Sequence, residues 1–418
     1  MRSLQRKTLK KCAIFRMLKT HARRRHVSFH TPGHKNGKWD ITELAYSDNL
    51  SCPRGCILTA ERDIARILGA RASFILTDGS TCGVLSMLYA AKRAGVKTVA
   101  VKRDTHKSFW NGCATLGLTP VVYADKDLET TIQSVDAIFI TSPDYYGKVA
   151  PLQDIRRLCD KHGKLLLIDG AHGGHLHFDK SLYAGAYADM WVDGVHKSLP
   201  ALTQGAIVSA RMEKYADLLR ESVAIFRTTS PSYPIMASVE YAVKYPENKV
   251  LPMLVRDLAN AYPKRVQVKD DWTKVCVRVG ERAFEAQTAL EKRGVYPEFC
   301  DGENVCFYLS PATTKRAFRV LKRSVAWLCN TFALGEEKRV QSVHTPLVDM
   351  ENGETEWVNL ENAVGKICAA DCGLFPPCTP LIGKGERVLD EHVRLLKAAP
   401  NVYGLVDGKI RVYKNFNA

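Results

Sequence analysis

The chain has 418 residues, of which 46% are hydrophobic and 25% are charged, and its formal net charge is +16. These proportions are ordinary for a soluble globular protein, and the length allows two or three domains with a large core. No apolar run approaches the roughly 20 residues of a membrane-spanning helix, and the basic N-terminus lacks the features of a secretory signal. The 13 cysteines form no spacing framework, which favours reduced thiols and predicts a cytoplasmic protein.

Much of the positive charge lies in the first 35 residues, and such charge favours nonspecific contact with polyanions. Apolar residues recur there near helical spacing, which is typical of an amphipathic helix packed against another surface. No DNA-binding module or basic and aromatic platform accompanies them, so a nucleic-acid partner is not expected. Residues 1–28 are therefore predicted to form a basic helical docking arm with apolar positions at Leu4, Leu9, Ile14, Phe15 and Leu18.

From about residue 55 to 240, short β-like runs alternate with stretches of helical periodicity. Two of the helical stretches are followed by Gly95 and Gly163, where C-terminal caps are expected. The alternation predicts a mostly parallel sheet with helices on both faces. Seven strands are predicted, at 73–77, 97–102, 120–124, 137–141, 164–169, 190–194 and 205–210.

The sequence pattern changes near residue 255, after which a few β-like runs and helical stretches follow one another. It predicts a smaller α+β domain with strands at 272–279 and 304–310 and helices around 281–293 and 314–330. The acidic run at 349–356 is predicted to be a solvated loop, and FPPCTP at 375–380 a rigid turn. The predicted organisation is therefore an arm at 1–28, a large domain at 29–255 and a small domain at 256–418.

Three features of the large domain have complementary chemistry. Lys197 follows a short apolar run and stands between a histidine and a serine, a setting in which an amine can be held still and partly neutral to attack an aldehyde. Asp169 ends another apolar strand, and a Gly-Ser-Thr turn at 79–81 opens a helix whose N-terminus can bind phosphate. Ligands of such sheets bind at the carboxyl ends of strands. Amine, carboxylate and anion site together predict a pocket for pyridoxal 5'-phosphate.

On these and further segments the chain resembles the bacterial ornithine/lysine/arginine decarboxylase family, in the aspartate-aminotransferase-like fold (fold type I) of pyridoxal-phosphate enzymes. The resemblance begins at about residue 28 and is closest to the short form without an N-terminal receiver-like domain. It implies a mostly parallel seven-stranded sheet flanked by helices, with a smaller C-terminal α+β domain. The segments that carry it are FHTPGHKNG (29–37), DITEL (40–44), TDGST (77–81), HKS (106–108), ITSPDYYG (140–147), IDGAHGGHLHF (168–178), HKSLPALTQGA (196–206), TTSPSY (228–233) and the Pro-Pro turn at 376–377.

The resemblance also implies a role for each site residue. Lys197 would bind the cofactor covalently, and Asp169 would pair with its protonated pyridine nitrogen. Ala171 would pack against one ring face, His106 would stack over the other, and His172 would reach the ring hydroxyl or the substrate. The other expected cofactor contacts are Gly79, Ser80 and Thr81 at the phosphate, His196 and Ser198 beside the lysine, and Ser230 and Ser232 in a loop that would complete the site of a neighbouring subunit.

The activity implied by the resemblance is decarboxylation of lysine, arginine or ornithine to the corresponding amine, in polyamine or acid-stress metabolism. It further implies a homodimer or larger homo-oligomer. The distal cation of a basic substrate needs a carboxylate partner, and the candidates in the small domain are Glu298, Asp371 and Glu386.

Two positions depart from the family pattern. The family usually has Glu after the pyridine aspartate and Ser three positions before the lysine, where this chain has Gly170 and Gly194. A catalytically silent, cofactor-binding regulator therefore stays open as an alternative. Aminotransfer and aldol-type cleavage also stay open, since the same cofactor performs them. A metal site from His172, His175 and His177 lacks a carboxylate or cysteine at ligand spacing, and no metal is predicted.

Overall fold

The computed structural model describes residues 2–35, 37–334, 353–375 and 379–414. Within these residues the chain divides into two compact units. The first comprises Met1–Lys102, Ser108–Pro252 and Leu309–Thr313, and the second comprises Arg103–Lys107, Met253–Tyr308 and Thr314–Ala418. The cysteines in the described residues are free thiols. No helix in these ranges has the length and apolar character needed to cross a membrane.

The first part of the chain alternates helices and strands as its periodicity predicts. The helices are α1 (Arg2–Lys11), α2 (Ala13–His21), α3 (Cys56–Leu68), α4 (Gly79–Arg93), α5 (Lys107–Leu116), α6 (Leu128–Ser134), α7 (Leu152–His162), α8 (Val195–Ser198), α9 (Glu213–Phe226) and α10 (Tyr233–Val243). The strands are β1 (Ala72–Leu76), β2 (Thr98–Val101), β3 (Thr119–Val122), β4 (Ala137–Thr141), β5 (Leu165–Gly170), β6 (Met190–Asp193) and β7 (Ala206–Ala210).

In the described residues these strands form a seven-stranded sheet in the order β1-β7-β6-β5-β4-β2-β3. Its strands are parallel except β7, which runs antiparallel to both of its neighbours. Because successive side chains of a strand point to opposite faces, Leu165 and Leu167 enter one buried core while Leu166 and Ile168 enter the other. The predicted mostly parallel, seven-stranded α/β architecture is confirmed.

The second part of the chain has antiparallel sheets. Its helices are α11 (Leu251–Ala261), α12 (Ala283–Glu291), α13 (Lys315–Thr331) and α14 (Asp390–Ala398). Its strands are β8 (Val266–Gln267), β9 (Lys274–Arg278), β10 (Phe299–Cys300), β11 (Asn304–Tyr308), β12 (Thr355–Asn359), β13 (Gly373–Leu374), β14 (Val402–Tyr403), β15 (Leu405–Val406) and β16 (Lys409–Tyr413). In the described residues they pair as β10-β11-β9-β8, β12-β16-β15 and β13-β14.

One element differs from its predicted form. Thr355 and Glu356, at the end of the acidic run predicted as a loop, belong to β12 and pair with Tyr413 and Val412 of β16. Strand β12 is held by hydrogen bonds to β16, more than fifty residues further along the chain. Local composition therefore could not predict this strand. Residues 349–352 of the same run, and 376–378 of the FPPCTP turn, lie outside the described residues.

The basic N-terminal arm belongs to the first compact unit. Ile14 and Leu18 of α2 are buried in the same core as residues of α3 and α10. Glu240 of α10 is 0% exposed, and its carboxylate accepts hydrogen bonds from the Ala13 N–H at 2.6 Å and the Ile14 N–H at 2.9 Å. The carboxylate thus satisfies two of the N–H groups that the start of a helix leaves unpaired.

Replacing Glu240 with alanine is expected to lower the free energy of unfolding by about 3 kcal/mol. The change leaves two buried N–H groups without an acceptor and removes the carboxylate 2.8 Å from the Lys244 ammonium. Chemical denaturation measures the loss. Glu221→Ala, which breaks an exposed pair with Arg93, is the control and should cost less than about 1 kcal/mol. Equal losses for the two variants would contradict the capping role.

Candidate active site

Lys197 lies on the short helix α8, directly after β6. The helix is tied to the loop before β7, because the His196 N–H donates to Gly205 O at 3.0 Å and His196 Nδ1 lies 2.9 Å from the same oxygen. The Lys197 N–H donates to Gly194 O at 2.9 Å. These bonds hold the backbone of the lysine at the carboxyl end of β6, where the sequence placed it.

Two buried residues of the β5 region approach the lysine. The His172 Nε2 atom lies 3.2 Å from Lys197 Nζ. Asp169 ends the buried run of β5, and its Oδ1 accepts a hydrogen bond from the Ala171 N–H at 3.0 Å. Burial raises the pKa of the Asp169 carboxyl, and the positive charge of Lys197 opposes that rise. A second cation near Asp169, such as a protonated pyridine nitrogen, would further favour its charged form.

Tyr145 is a site neighbour to which the sequence assigned no role. Its ring lies 4.7 Å from the His172 ring at an interplanar angle of 60°. Aromatic pairs favour such edge-on contacts, and this one orients the imidazole whose Nε2 reaches Lys197. The only signal in the sequence was its place in the ITSPDYYG segment, which carries the family resemblance without distinguishing one tyrosine from the other.

The turn that opens α4 has the features of an anion site. Gly79 has a φ of 75° and donates its N–H to Gln204 O at 2.9 Å, so the N–H groups after it are the expected phosphate donors. Ser80 Oγ is buried and has no hydrogen-bond partner among the described residues. Buried hydroxyls are nearly always paired, and a phosphate oxygen at this helix N-terminus would supply the partner. The amine, the buried carboxylate and this hydroxyl fit pyridoxal phosphate.

Gly194 permits a close approach within the site. A Cβ atom at this position would lie 2.5 Å from Ala171 O and 2.8 Å from Ser80 Oγ. The sequence showed only that this chain has glycine where the family usually has serine. The structure adds a steric reason for the glycine, because Ala171 O and Ser80 Oγ both lie too close to position 194 for a Cβ atom.

Restoring serine at Gly194 is expected to weaken cofactor binding by at least about fivefold. Ala171 O is backbone and must move to admit a Cβ, and overpacking of this kind costs about 1–3 kcal/mol. Titration with pyridoxal phosphate, followed by absorbance, measures the change. Gly194→Ala is the matched variant, and it should show a similar loss because the Cβ is responsible. Tighter binding by the serine variant would show that the missing hydroxyl matters more than the space.

The comparison with known proteins shows the family of this chain. The family model for the Orn/Lys/Arg decarboxylase major domain matches residues 38–135 and 123–277, more than half of the chain. The chain belongs to the Orn/Lys/Arg decarboxylase family. Pyridoxal phosphate is the cofactor of this family, and the residues around Lys197 fit it.

Relatives of this decarboxylase-family chain extend over nearly its whole length. It is 29% identical to the uncharacterized protein YaaO of Bacillus subtilis, over 96% of each chain. It is 26% identical to an arginine decarboxylase of Halalkalibacterium halodurans, over 92% of each. The solved structure of the Escherichia coli constitutive lysine decarboxylase superposes with a TM-score of 0.74 at 19% identity, covering 96% of this chain and 82% of that one. This last likeness shows a shared fold.

The remaining predicted cofactor contacts of this family member lie in different settings. Ser198 Oγ is buried and accepts a hydrogen bond from the His175 N–H at 3.3 Å. Ser230 is exposed and Ser232 is the N-cap of α10. His106 is partly exposed in the loop between β2 and α5, within the Arg103–Lys107 segment of the second unit. The roles of these residues, and of the exposed Thr81, stay predictions.

The three predicted substrate carboxylates all belong to the second unit. Glu298 is exposed, and Asp371 Oδ1 accepts a hydrogen bond from the Lys384 N–H at 2.9 Å. Glu386 is buried and accepts from Arg103 Nε at 3.0 Å and from the Gly383 N–H at 2.6 Å. Its charge is therefore already balanced by an arginine of the same unit. The substrate roles of the three residues stay predictions.

The histidines of the alternative metal site have other neighbours. His175 and His177 lie in a 3₁₀ turn over Gly174–Phe178, and His177 Nδ1 lies 2.7 Å from Gly174 O. Burial lowers the pKa of His177 to about 4, so it is neutral at physiological pH. Over the described ranges, no group of three or more His, Cys, Asp or Glu residues is arranged to hold a metal ion.

Proposed function

We propose that this chain is a pyridoxal-phosphate-dependent decarboxylase that converts a basic amino acid, lysine, arginine or ornithine, to the corresponding amine and CO2. The observation that carries the proposal is the Lys197 amine, 3.2 Å from His172 and within the electrostatic reach of the buried Asp169, in a member of this family. Arginine is the first substrate to test, because the Halalkalibacterium halodurans relative that spans 92% of the chain carries that name.

Each residue of the site would have a separate role in the reaction. When bound, pyridoxal phosphate supplies a cationic ring that accepts the electron pair left on the α-carbon as CO2 departs. Asp169, buried from water, would hold the proton on the ring nitrogen. Lys197 would hold the cofactor and afterwards deliver a proton from Nζ to the α-carbon. His172 positions that amine, and Ser80 with the first turn of α4 would bind the phosphate.

We further infer that the working form is at least a homodimer in the cytoplasm, and that its amine product belongs to polyamine or acid-stress metabolism. Large exposed apolar side chains support the dimer. Val27 is 84% exposed and Phe29 is 93% exposed, two positions apart in the segment after α2, and exposed apolar surfaces typically mark contacts between proteins. Light scattering measures the assembly. A monomer that binds the cofactor and releases CO2 at full rate would contradict the dimer.

A decarboxylation assay tests the activity. Carboxyl-labelled lysine, arginine and ornithine are each incubated with the cofactor-loaded protein, with labelled glutamate as the acidic control. We expect CO2 from one basic amino acid at a rate at least about a hundredfold above that from glutamate, because an active site that pairs a distal cation rejects an anionic side chain. Bound cofactor without CO2 from any substrate would indicate a silent cofactor-binding protein, and a keto-acid product would indicate aminotransfer.

A further inference from the structure

Asp193 is a buried carboxyl group directly behind the lysine helix. It is the last residue of β6, it is 2% exposed, and Gly194 and α8 follow it. Its Oδ2 accepts hydrogen bonds from the Tyr183 hydroxyl at 2.6 Å and from Trp191 Nε1 at 3.0 Å. Its Oδ1 is buried and has no hydrogen-bond partner among the described residues. An ionised oxygen without a donor in such a place is strongly disfavoured, so the geometry fits a neutral acid.

The Asp193 carboxyl occupies the space beside Gly170. The two residues are paired in the parallel register of β5 and β6. A Cβ at Gly170 would lie 3.3 Å from Asp193 Oδ1 and 2.9 Å from Val192 O. Position 170 therefore has no room for the glutamate usual in the family, and a carboxyl from the neighbouring strand lies there instead. Gly170 follows Asp169 directly on β5, so the Asp193 carboxyl lies beside the residue next to Asp169.

Asp169 and Asp193 are buried on neighbouring strands, and a negative charge on one disfavours ionisation of the other. Burial is the main cause that raises the pKa of Asp193, to about 7, and the negative charge of Asp169 raises it as well, while the bonds from Tyr183 and Trp191 lower it. Tyr183 and Asp169 are the titratable groups that act on Asp193. The pKa of Tyr183 is raised well above its ordinary value, first by burial, so it remains a donor through neutral pH.

We propose that Asp193 is a positioning residue of the cofactor site, which as a neutral acid anchors the end of β6 and leaves the negative charge to Asp169. Its ionisation and the binding of the cofactor then oppose each other. Ionised Asp193 would hold a buried charge at Oδ1, which has no donor among the described residues, and the rearrangement at the end of β6 that relieves this charge would disturb α8 and weaken cofactor binding. By linkage, the bound cofactor raises the pKa of Asp193. The inference rests on the proposed cofactor site at Lys197.

The first test uses the cofactor-free protein and the indole N–H of Trp191, which donates to Asp193. Its nuclear magnetic resonance signal, assigned by its absence from Trp191→Phe, is followed from about pH 5.5 to about pH 9 around the expected transition. We expect one transition near neutral pH in the wild-type protein and none in Asp193→Asn, which keeps an acceptor oxygen but cannot ionise. With pyridoxal phosphate bound, the wild-type transition should move upward by roughly one pH unit.

The second test compares cofactor affinity at several pH values. The ratio of wild-type to Asp193→Asn affinity should be within about threefold of one at pH 6 and should be about fivefold lower by pH 8, as a shift of about one unit from a pKa near 7 implies. Asp154→Asn, which alters an exposed carboxylate, is the control and should leave the ratio constant. A wild-type Trp191 signal that does not titrate overturns the proposal even if the asparagine variant does not fold. Failure of cofactor binding at Lys197 would leave the cofactor-free titration intact, so the two proposals can fail separately.

Discussion

Replacing Lys197 with alanine is expected to abolish covalent attachment of pyridoxal phosphate and to reduce CO2 release by at least about 10³-fold. The variant loses both the amine that holds the cofactor and the Nζ proton proposed for the α-carbon. His172 Nε2 lies 3.2 Å from Nζ, but imidazole cannot replace a primary amine in bonding to an aldehyde. The protein should still fold, because the Lys197 side chain is only partly buried.

Borohydride reduction of the loaded protein, followed by peptide mass mapping, measures the attachment directly. The label should lie on the peptide that contains Lys197 and should be absent from the alanine variant. Lys180→Ala, which removes an exposed lysine from the same unit, is the matched control and should keep both the label and the activity. A label on any other lysine would contradict the assignment of the site and the function built on it.

Replacing Asp169 with asparagine is expected to lower CO2 release by about 10²- to 10⁴-fold. The side chain keeps its shape and an oxygen for the Ala171 N–H, but it loses the charge proposed to hold the proton on the ring nitrogen. Leaving a buried charge without its partner costs about 3–5 kcal/mol, and each 1.36 kcal/mol corresponds to a tenfold change in rate.

The Asp169→Asn substitution should lower the rate of CO2 release at full cofactor occupancy as well as the affinity for the cofactor. Assays at saturating pyridoxal phosphate separate the two, because restored occupancy would not restore the charge at Asp169. Asp154→Asn changes an exposed carboxylate on α7 and should retain wild-type activity. An Asp169→Asn protein with activity within about tenfold of wild type at full cofactor occupancy would show that Asp169 is not the ring-nitrogen partner.

The two departures from the family pattern have related explanations. Gly194 lies against Ala171 O and Ser80 Oγ, and Gly170 lies against Val192 O and Asp193 Oδ1. At both positions the space for a side chain is filled by a group of this chain. The glycines therefore belong to a consistent packing arrangement, and they do not by themselves indicate a site that has lost its cofactor.

Several features followed from the sequence because local chemistry determines them. The seven strands of the first unit were predictable, since each is a short apolar run bounded by helical periodicity, and β4 has the predicted bounds. The position of Asp169 and Lys197 at the carboxyl ends of neighbouring strands was predictable because parallel strands bring these ends to one edge of a sheet. Ile14 and Leu18 were predictable as buried positions from their helical spacing.

Other features depended on the tertiary structure because residues far apart in the chain create them. The antiparallel pairing of β7 with β1, the pairing of β12 with β16 and the contact of Glu240 with the start of α2 join segments separated by dozens to hundreds of residues. Tyr145 beside His172 and Asp193 beside Gly170 are likewise contacts between neighbouring elements. The sequence by itself determined which groups can do the chemistry, through residue type and local periodicity. Only the folded chain decided which buried carboxyls share a space and which glycines leave room for them, since burial and distance are properties of packed neighbours.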